Sequence, residues 1–425
     1  MISSVVEIKR IIINTIVNIT YCLQRVSKKN ALFSLFYRVY KLFLRIISIY
    51  PYQAISHSEY VKYNSTSIIQ PITDERVCYT SNTVFDDSES DSQLIPVTAP
   101  KLYLAIHKNV RISGNSDLII DVSNKFAIND FASSVQPPFG NRDGILFRQK
   151  NTLLLLKFDE NADCQVYDSG IMITGKFSSN YYHVMYEILI KMLIVDELKI
   201  QQDIPFVIDK VILKVNSFHD IFITLNRTNR KYIAIENNDN YEFKSLYYIS
   251  PVNIIPPHVI DPERFNIRDV VFDLSYLKLL RDRLLTIKSK KIFSKRIYLS
   301  RKKSSRRSFN EDDVISCLNS YDFEVVSPED YSLADQISMF NGAEIIVGGV
   351  GAAMTNLLFC NATCQIICLN SMKVIIPVFS TIAFAQGARM RCLVGQKSKI
   401  FKSNDVHSDY FIDVRELKKN INTLL

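Results

Sequence analysis

From residue 101 onward, short apolar runs alternate with polar and turn-forming residues, the spacing expected of β-strands. Strand-length runs occupy 102–106, 118–122, 153–158 and 170–174. Turn residues separate them, as at Ser113-Gly-Asn-Ser-Asp117 and Pro137-Pro-Phe-Gly-Asn-Arg-Asp-Gly144. The period then lengthens. Over residues 180–199, Val184, Ile188, Met192 and Val195 form one apolar row beside Met185, Leu189 and Leu193, which predicts a helix. His183, Glu187 and Lys191 make its opposing polar row at i, i+4 and i+8. Further strands are expected over 205–215 and 247–255, and a helix over 273–286.

The last third alternates the two periods in a way that predicts a parallel sheet. Residues 297–300, 323–326, 345–347 and 365–369 read as strands. Asn310 is placed to cap the helix between the first two, and Glu311-Asp-Asp313 suits the positive end of its dipole. Ser332 and Asp335 form a near capping box for 332–340, with Gly342 as its stop. A further helix is expected over 352–359.

The first hundred residues do not continue this alternation. An apolar stretch at 11–23 is interrupted by Asn14 and Asn18. Over 31–50, Arg38, Lys41 and Arg45 sit at helical spacing on one side, with aromatic and aliphatic residues filling the rest. That pattern suits a helix lying in a membrane interface; the other reading is a helix packed on the protein's own core. Residues 51–100 are rich in Ser, Thr, Asp and Pro, with the acidic run Asp86-Asp-Ser-Glu-Ser-Asp-Ser92, and are expected to be a poorly ordered linker. The expected organisation is a membrane-associating segment at 1–50, the linker at 51–100, one domain at 101–287 and a second at 288–425.

Composition agrees with two folded units. A chain of 425 residues exceeds what one core usually supports. With 47% hydrophobic and 22% charged residues, disorder on the scale of the whole chain is excluded. No run of eighteen apolar residues occurs, so no clean spanning helix is expected. The eight cysteines include no Cys-x-x-Cys pair and no accompanying His-x-x-x-His, which argues against a structural zinc site. Cys360, Cys364 and Cys368 are expected to be small core residues. The net charge is +8, and ten Lys or Arg fall within 288–307. That run is either a solvated face or a site for phosphate.

Glycine narrows the choice. Of only 11 glycines, four fall at 342, 348, 349 and 351, three of them between a buried-looking strand and a helix. Gly348, Gly349 and Gly351 let the backbone turn sharply and bring amide groups near a bound anion, while the helix start adds partial positive charge and free N–H donors. The spacing is neither a dinucleotide fingerprint nor a Walker loop, and a tight structural turn would look the same. Arg301, Arg306 and Arg307 follow the 297–300 strand and would lie at the same carboxyl edge. Arginine grips phosphate through paired hydrogen bonds and keeps its charge. Lys302 and Lys303 read as solvated bystanders. The basic run lacks interleaved aromatics, and no nucleic-acid-binding motif is present, so no nucleic-acid partner is expected.

Three blocks resemble glycosyltransferase family 61, which includes protein O-linked N-acetylglucosaminyltransferases, plant xylosyltransferases and bacterial capsular-polysaccharide enzymes. They are Asn180-Tyr-Tyr-His-Val-Met-Tyr-Glu187; Tyr298-Leu-Ser-Arg301 with Arg306-Arg-Ser-Phe-Asn-Glu311; and Ala343-Glu-Ile-Ile-Val-Gly-Gly-Val-Gly-Ala-Ala-Met-Thr-Asn-Leu-Leu-Phe359. The similarity covers about residues 101–425. It implies an α/β fold of GT-B type, with two Rossmann-like domains facing a cleft, here carrying an N-terminal helical extension. It implies inverting transfer from a nucleotide sugar to a glycan or lipid-linked saccharide acceptor, without an obligatory metal. On this sequence Arg301, Arg307, Asn310, Glu311, Gly349, Gly351 and Asn356 would line the donor side.

Two departures stand out. Val350 replaces the histidine that the family usually has before the glycine of the third block, and Val184 replaces a tryptophan in the first. Valine can neither donate a hydrogen bond nor move a proton. Inverting transfer needs a base for the acceptor hydroxyl, and His183 and Glu187 are the candidates. The alternative is an impaired relative that binds nucleotide sugars or acts as a scaffold. The expected location is the cytoplasmic face of a bacterial inner membrane, in capsule or surface-polysaccharide synthesis. A Golgi or endoplasmic-reticulum lumen is the alternative, permitted by Asn-x-Ser/Thr sequons at Asn18, Asn64, Asn226 and Asn361.

Overall fold

A computed structural model of the protein describes residues 2–27, 31–46, 49–85, 93–130, 145–158, 160, 162–237, 239–255, 266–303, 308–371, 377–397 and 409–425. The expected turn at 137–144, the acidic run at 86–92, Arg306 and Arg307 lie outside the described residues.

The chain is mixed α/β and builds two main sheets. Among the described residues the larger has eleven strands. At its heart Gln165–Ile173 lies between Phe206–Asp209 and Tyr241–Ile249, parallel to both, and Tyr232–Ile235 adds to the outside of Phe206–Asp209. In chain order these four strands run 3-2-1-4 across the sheet, so the winding reverses between Gln165–Ile173 and Tyr241–Ile249. Tyr103–Ile112 then pairs antiparallel with Tyr241–Ile249 and leads into the remaining strands. Helices at Lys191–Leu198, Asn216–Leu225 and Leu274–Leu284 supply apolar residues to the core beside this sheet. Asp273 caps the last of them through the N–H groups of Ser275 and Tyr276.

Three expectations needed correction here. Residues 51–100 are not an unstructured linker along the stretches described: Ile49–Ile55, Ile68–Pro71, Arg76–Ser81 and Leu94–Ala99 are strands, and His57–Tyr63 is a helix with a full capping box. Tyr52, Tyr60 and Cys78, with Tyr50 just ahead of them, are buried and anchor the segment. The strand expected over 205–215 ends at Asp209, and a short helix, Val211–Lys214, follows it. The strand expected over 247–255 is Tyr241–Ile249; it stops before Pro251, which has no N–H to give a ladder.

Among the described residues the second sheet has six strands, each parallel to its neighbours. Its order is Glu324–Val326, Arg296–Leu299, Ile345–Gly349, Gln365–Asn370, Arg389–Val394 and Val84–Phe85. The first five run 2-1-3-4-5 in chain order, a doubly wound arrangement whose direction reverses between Arg296–Leu299 and Ile345–Gly349. Alternate residues face opposite layers. Tyr298, Val347 and Ile367 pack toward Glu311–Asn319 and Val414–Asn422. Leu299, Ile346 and Cys368 pack toward Leu333–Gly342, Ala352–Phe359 and Pro377–Ala385. Ser332 caps Leu333–Gly342 as expected, accepting the Asp335 N–H at 3.1 Å. Cys360, Cys364 and Cys368 are buried.

Candidate functional site

In a doubly wound sheet, ligands sit outside the carboxyl ends of the strands where the winding reverses. In the six-stranded sheet the segments leaving that point begin at Ser300 and Val350. Arg301 joins them. Its Nη1 donates to the Val350 carbonyl oxygen at 3.0 Å, and its side chain lies across the glycine turn. A Cβ added to Gly349 would come within 2.6 Å of the Arg301 Cδ, and one added to Gly351 would collide with its Nη1. Gly351 itself is extended. These two glycines are thus required by space, not by backbone strain: they admit the guanidinium.

Glu311 holds the other end of the loop. Its Oε1 accepts from the Arg301 N–H at 2.7 Å, the Ser300 hydroxyl at 2.9 Å and the Tyr298 hydroxyl at 3.0 Å. Burial, and then the Glu311 carboxylate, pushes the Tyr298 hydroxyl well above its ordinary range, so it stays a donor. A carboxylate at a helix start therefore folds back and fixes the backbone from which Arg301 springs.

The other sequence candidates take different places. Asn310 stands at the helix N-cap, yet its side chain makes no capping bond. It pairs instead with Ile412, accepting the N–H at 2.8 Å and donating to the carbonyl at 3.1 Å. Asn356 is fully buried, with Nδ2 donating to Gln336 Oε1 at 2.8 Å and Oδ1 accepting from the Tyr181 hydroxyl at 2.8 Å. Neither side chain is directed at Arg301. Arg307 lies outside the described residues. Lys302 and Lys303 are exposed and paired with Asp312 and Asp330, as befits bystanders.

The eleven-stranded sheet has a reversal point of its own, and the segment 174–180 leaves it. Asp209 is fully buried there and accepts the N–H of Asn115 at 2.6 Å and of Gly175 at 3.3 Å. Burial raises its carboxyl to about 7, against the lowering effect of those bonds. Asp117 takes the Lys176 N–H at 3.2 Å, and the Asn180 side chain accepts the Tyr182 N–H at 2.9 Å to start the next helix.

That helix is not uniform: Tyr181–His183 is α, Val184–Leu189 is a π-helix and Lys191–Leu198 is α again. π-turns of this kind are frequent at functional sites. His183 Nδ1 lies 2.7 Å from Glu187 Oε2, and both side chains are about one-fifth exposed. Phe177 packs against the His183 ring with centroids 4.6 Å apart. In the tautomer whose Nδ1–H donates to the carboxylate, Nε2 carries the lone pair, the arrangement of an oriented base. Lys191 does not share their exposure. It is buried with its ammonium 5.3 Å from the Tyr248 ring centroid, and burial lowers its pKa.

The two reversal points are fastened together. The Tyr181 hydroxyl reaches Asn356, the Tyr186 hydroxyl donates to the Thr355 carbonyl at 2.7 Å, and Arg281 Nε donates to the Leu358 carbonyl at 3.0 Å. The helix bearing His183 and Glu187 thus abuts Ala352–Phe359, a 3₁₀ helix that leaves Gly351. Sequence reasoning missed Tyr181, Tyr186, Gln336 and Asp209. Only Tyr181 and Tyr186 carried a signal, as members of the Asn180–Glu187 block. Residues 181–367 match the family model described as Glycosyltransferase 61. No curated protein is similar enough to the chain to add a relative.

Proposed function

The chain belongs to glycosyltransferase family 61, and from that premise we propose that it moves a sugar from a nucleotide donor to a glycan or glycoconjugate with inversion at the anomeric carbon. In this reading residues 101–287 and 288–425 are the acceptor and donor sides of a GT-B-like pair. The reaction is capsule or surface-polysaccharide synthesis at the cytoplasmic face of a bacterial inner membrane. The observation that carries the reading is Arg301, fixed by Glu311 at a sheet's reversal point and laid over a turn that only glycine can form around it.

The chemistry follows from those groups. The acceptor hydroxyl oxygen bonds to the anomeric carbon as the bond from that carbon to the diphosphate oxygen breaks. Its proton passes to His183 Nε2, with Glu187 stabilising the imidazolium that forms. The leaving nucleoside diphosphate gains charge, which the Arg301 guanidinium, joined by Arg307, offsets. Glu311 acts behind this surface by holding the Arg301 backbone, while Asn310 ties down the Ile412 backbone and Asn356 links the side chains of Tyr181 and Gln336.

One observation favours a second reading. Val350, where the family usually has histidine, gives Arg301 only its backbone carbonyl, and its side chain moves no proton. Such a chain would bind a nucleotide sugar without turnover. Calorimetry with a panel of nucleotide sugars, followed by assay of nucleoside diphosphate release in the presence of saccharide acceptors, separates the two. Binding and release, both reduced by Arg301→Ala, support the transferase. Binding without release supports the second reading, and no binding to any donor sinks both.

A further inference from the structure

Residues 1–46 contain eight Lys or Arg and one acidic residue, Glu7, which gives +7 of the chain's net +8. The structure folds this segment into two helices, Ile2–Ser27 and Ala31–Ile46. They pack on each other through Tyr40, whose hydroxyl meets the Ile16 carbonyl at 3.2 Å and Thr20 Oγ1 at 3.1 Å. Val17 and Leu44 anchor the pair against Leu153 and Leu155 of the large sheet.

The outward side is apolar where solvent would favour polar residues. Leu35, Phe36, Val39 and Leu42 are each between 57% and 60% exposed, and Ile19 and Val26 are exposed on the first helix. At about 100° per residue, Leu35, Val39 and Leu42 fall on the arc opposite buried Leu44, and Ile19 and Val26 opposite Val17 and Thr20. Val26, Leu35 and Phe36 lie toward the end where the two helices meet in sequence, and Ile19, Val39 and Leu42 extend the face away from it. Exposed Arg25 and Arg38 stand beside them, and Lys28 and Lys29 lie between the helices in the chain. No helix among the described residues is long and apolar enough to cross a membrane. Ala31–Ile46 has 16 residues, short of the roughly 20 that span a bilayer, and its other side is engaged by protein.

We propose that the outer face of this helical hairpin lies in the surface of a bilayer rich in anionic lipid, with Leu35, Phe36, Val39 and Leu42 entering the acyl boundary. Arg25 and Arg38 meet the phosphate level, where each basic group adds attraction that salt screens. The pairing of a broad apolar face with almost the whole net charge of the chain selects this occupant over a neutral protein surface. The assignment is independent of the transferase reading, so each can fail alone.

The test is flotation of the full-length chain with vesicles of phosphatidylcholine, alone or mixed with phosphatidylglycerol. The wild type is expected to float with the mixed vesicles, to float less with phosphatidylcholine alone, and to be released by high salt. Leu35→Glu with Val39→Glu should reduce flotation by roughly tenfold or more while leaving the thermal midpoint unchanged, since both positions are exposed. Arg25→Glu with Arg38→Glu, which leaves the apolar face intact, should lower binding to the anionic vesicles only. Flotation unaltered by both pairs, or equal on neutral and anionic vesicles, overturns the proposal. So does a lipid-free dimer that the Leu35→Glu, Val39→Glu pair dissociates, because the face would then belong to a second copy.

Discussion

Glu311 accepts the backbone N–H of Arg301 at 2.7 Å with the same oxygen that receives the Tyr298 and Ser300 hydroxyls. One carboxylate therefore fixes where an arginine leaves its strand. Glu311→Ala strands three donors at once, each costing about 1–3 kcal/mol if water cannot replace the acceptor. The expected outcome is a lower unfolding midpoint together with donor affinity weakened by roughly 10- to 100-fold. Glu311→Gln, which keeps an acceptor oxygen, should recover most of the stability. Calorimetric donor titration of folded protein checks this, and unchanged affinity in the Ala variant would mean that Arg301 finds its place unaided.

Gly351 gives a sharper probe because its backbone is already extended. Gly351→Ala costs nothing in backbone conformation, so its whole effect comes from the methyl group colliding with Arg301 Nη1. The guanidinium must leave the Val350 carbonyl or the turn must open. The donor KM should rise by about tenfold or more, with a loss of stability of about 1–3 kcal/mol, the usual cost of overpacking. Steady-state kinetics with varied donor measure the first, and denaturant unfolding the second. An Ala variant with wild-type KM would show that the position of Arg301 across the turn is irrelevant to donor binding.

Much of this arrangement was legible, because residues 296–370 alternate apolar strand runs with Asn, Ser and Gly at the helix ends. The order of the strands was not, since nothing local states which edge the next strand joins. Glu311 could be read as a helix-start carboxylate, but its bonds run backward to the strand, not forward along the helix. Asn310 reads as a cap until the segment containing Ile412, 102 residues on, takes its amide. Asn356 looks like a ligand group beside a glycine turn. Its partner Tyr181 lies 175 residues earlier, a distance at which only three-dimensional packing decides. In residues 51–100, average composition concealed single buried tyrosines.

His183 and Glu187 yield to a kinetic test. If the imidazole is the base and the carboxylate its orienter, His183→Ala should lower kcat by roughly 10²–10⁴ and leave donor affinity intact. Glu187→Gln keeps the size and one hydrogen-bonding oxygen but removes the charge that stabilises imidazolium, so kcat falls less and its dependence on pH changes. Both variants should bind donor normally in calorimetry, because neither side chain contacts the Arg301 cluster. Wild-type kcat in both removes them from the reaction.

Asp209 sets a pH dependence on the loop that leads into that helix. Its carboxyl is raised by burial to about 7 in the folded protein, against an ordinary 3.8, so the folded state holds the proton more tightly than the unfolded chain. Between pH 3.8 and about 7 the native state therefore binds more protons. Stability from this group is fully present below 3.8 and is lost as pH rises through 7. Asp209→Asn mimics the neutral form and keeps one acceptor oxygen, for the Asn115 N–H, while the Gly175 N–H, which bonds to the other carboxylate oxygen, loses its acceptor. The stability of the variant relative to the wild type should be lowest near pH 4 and should rise progressively toward pH 8. Urea unfolding of both proteins across that range measures the difference, in which groups common to the two cancel. A difference that stays constant with pH would mean that Asp209 is already ionised in the fold, with its backbone donors outweighing burial.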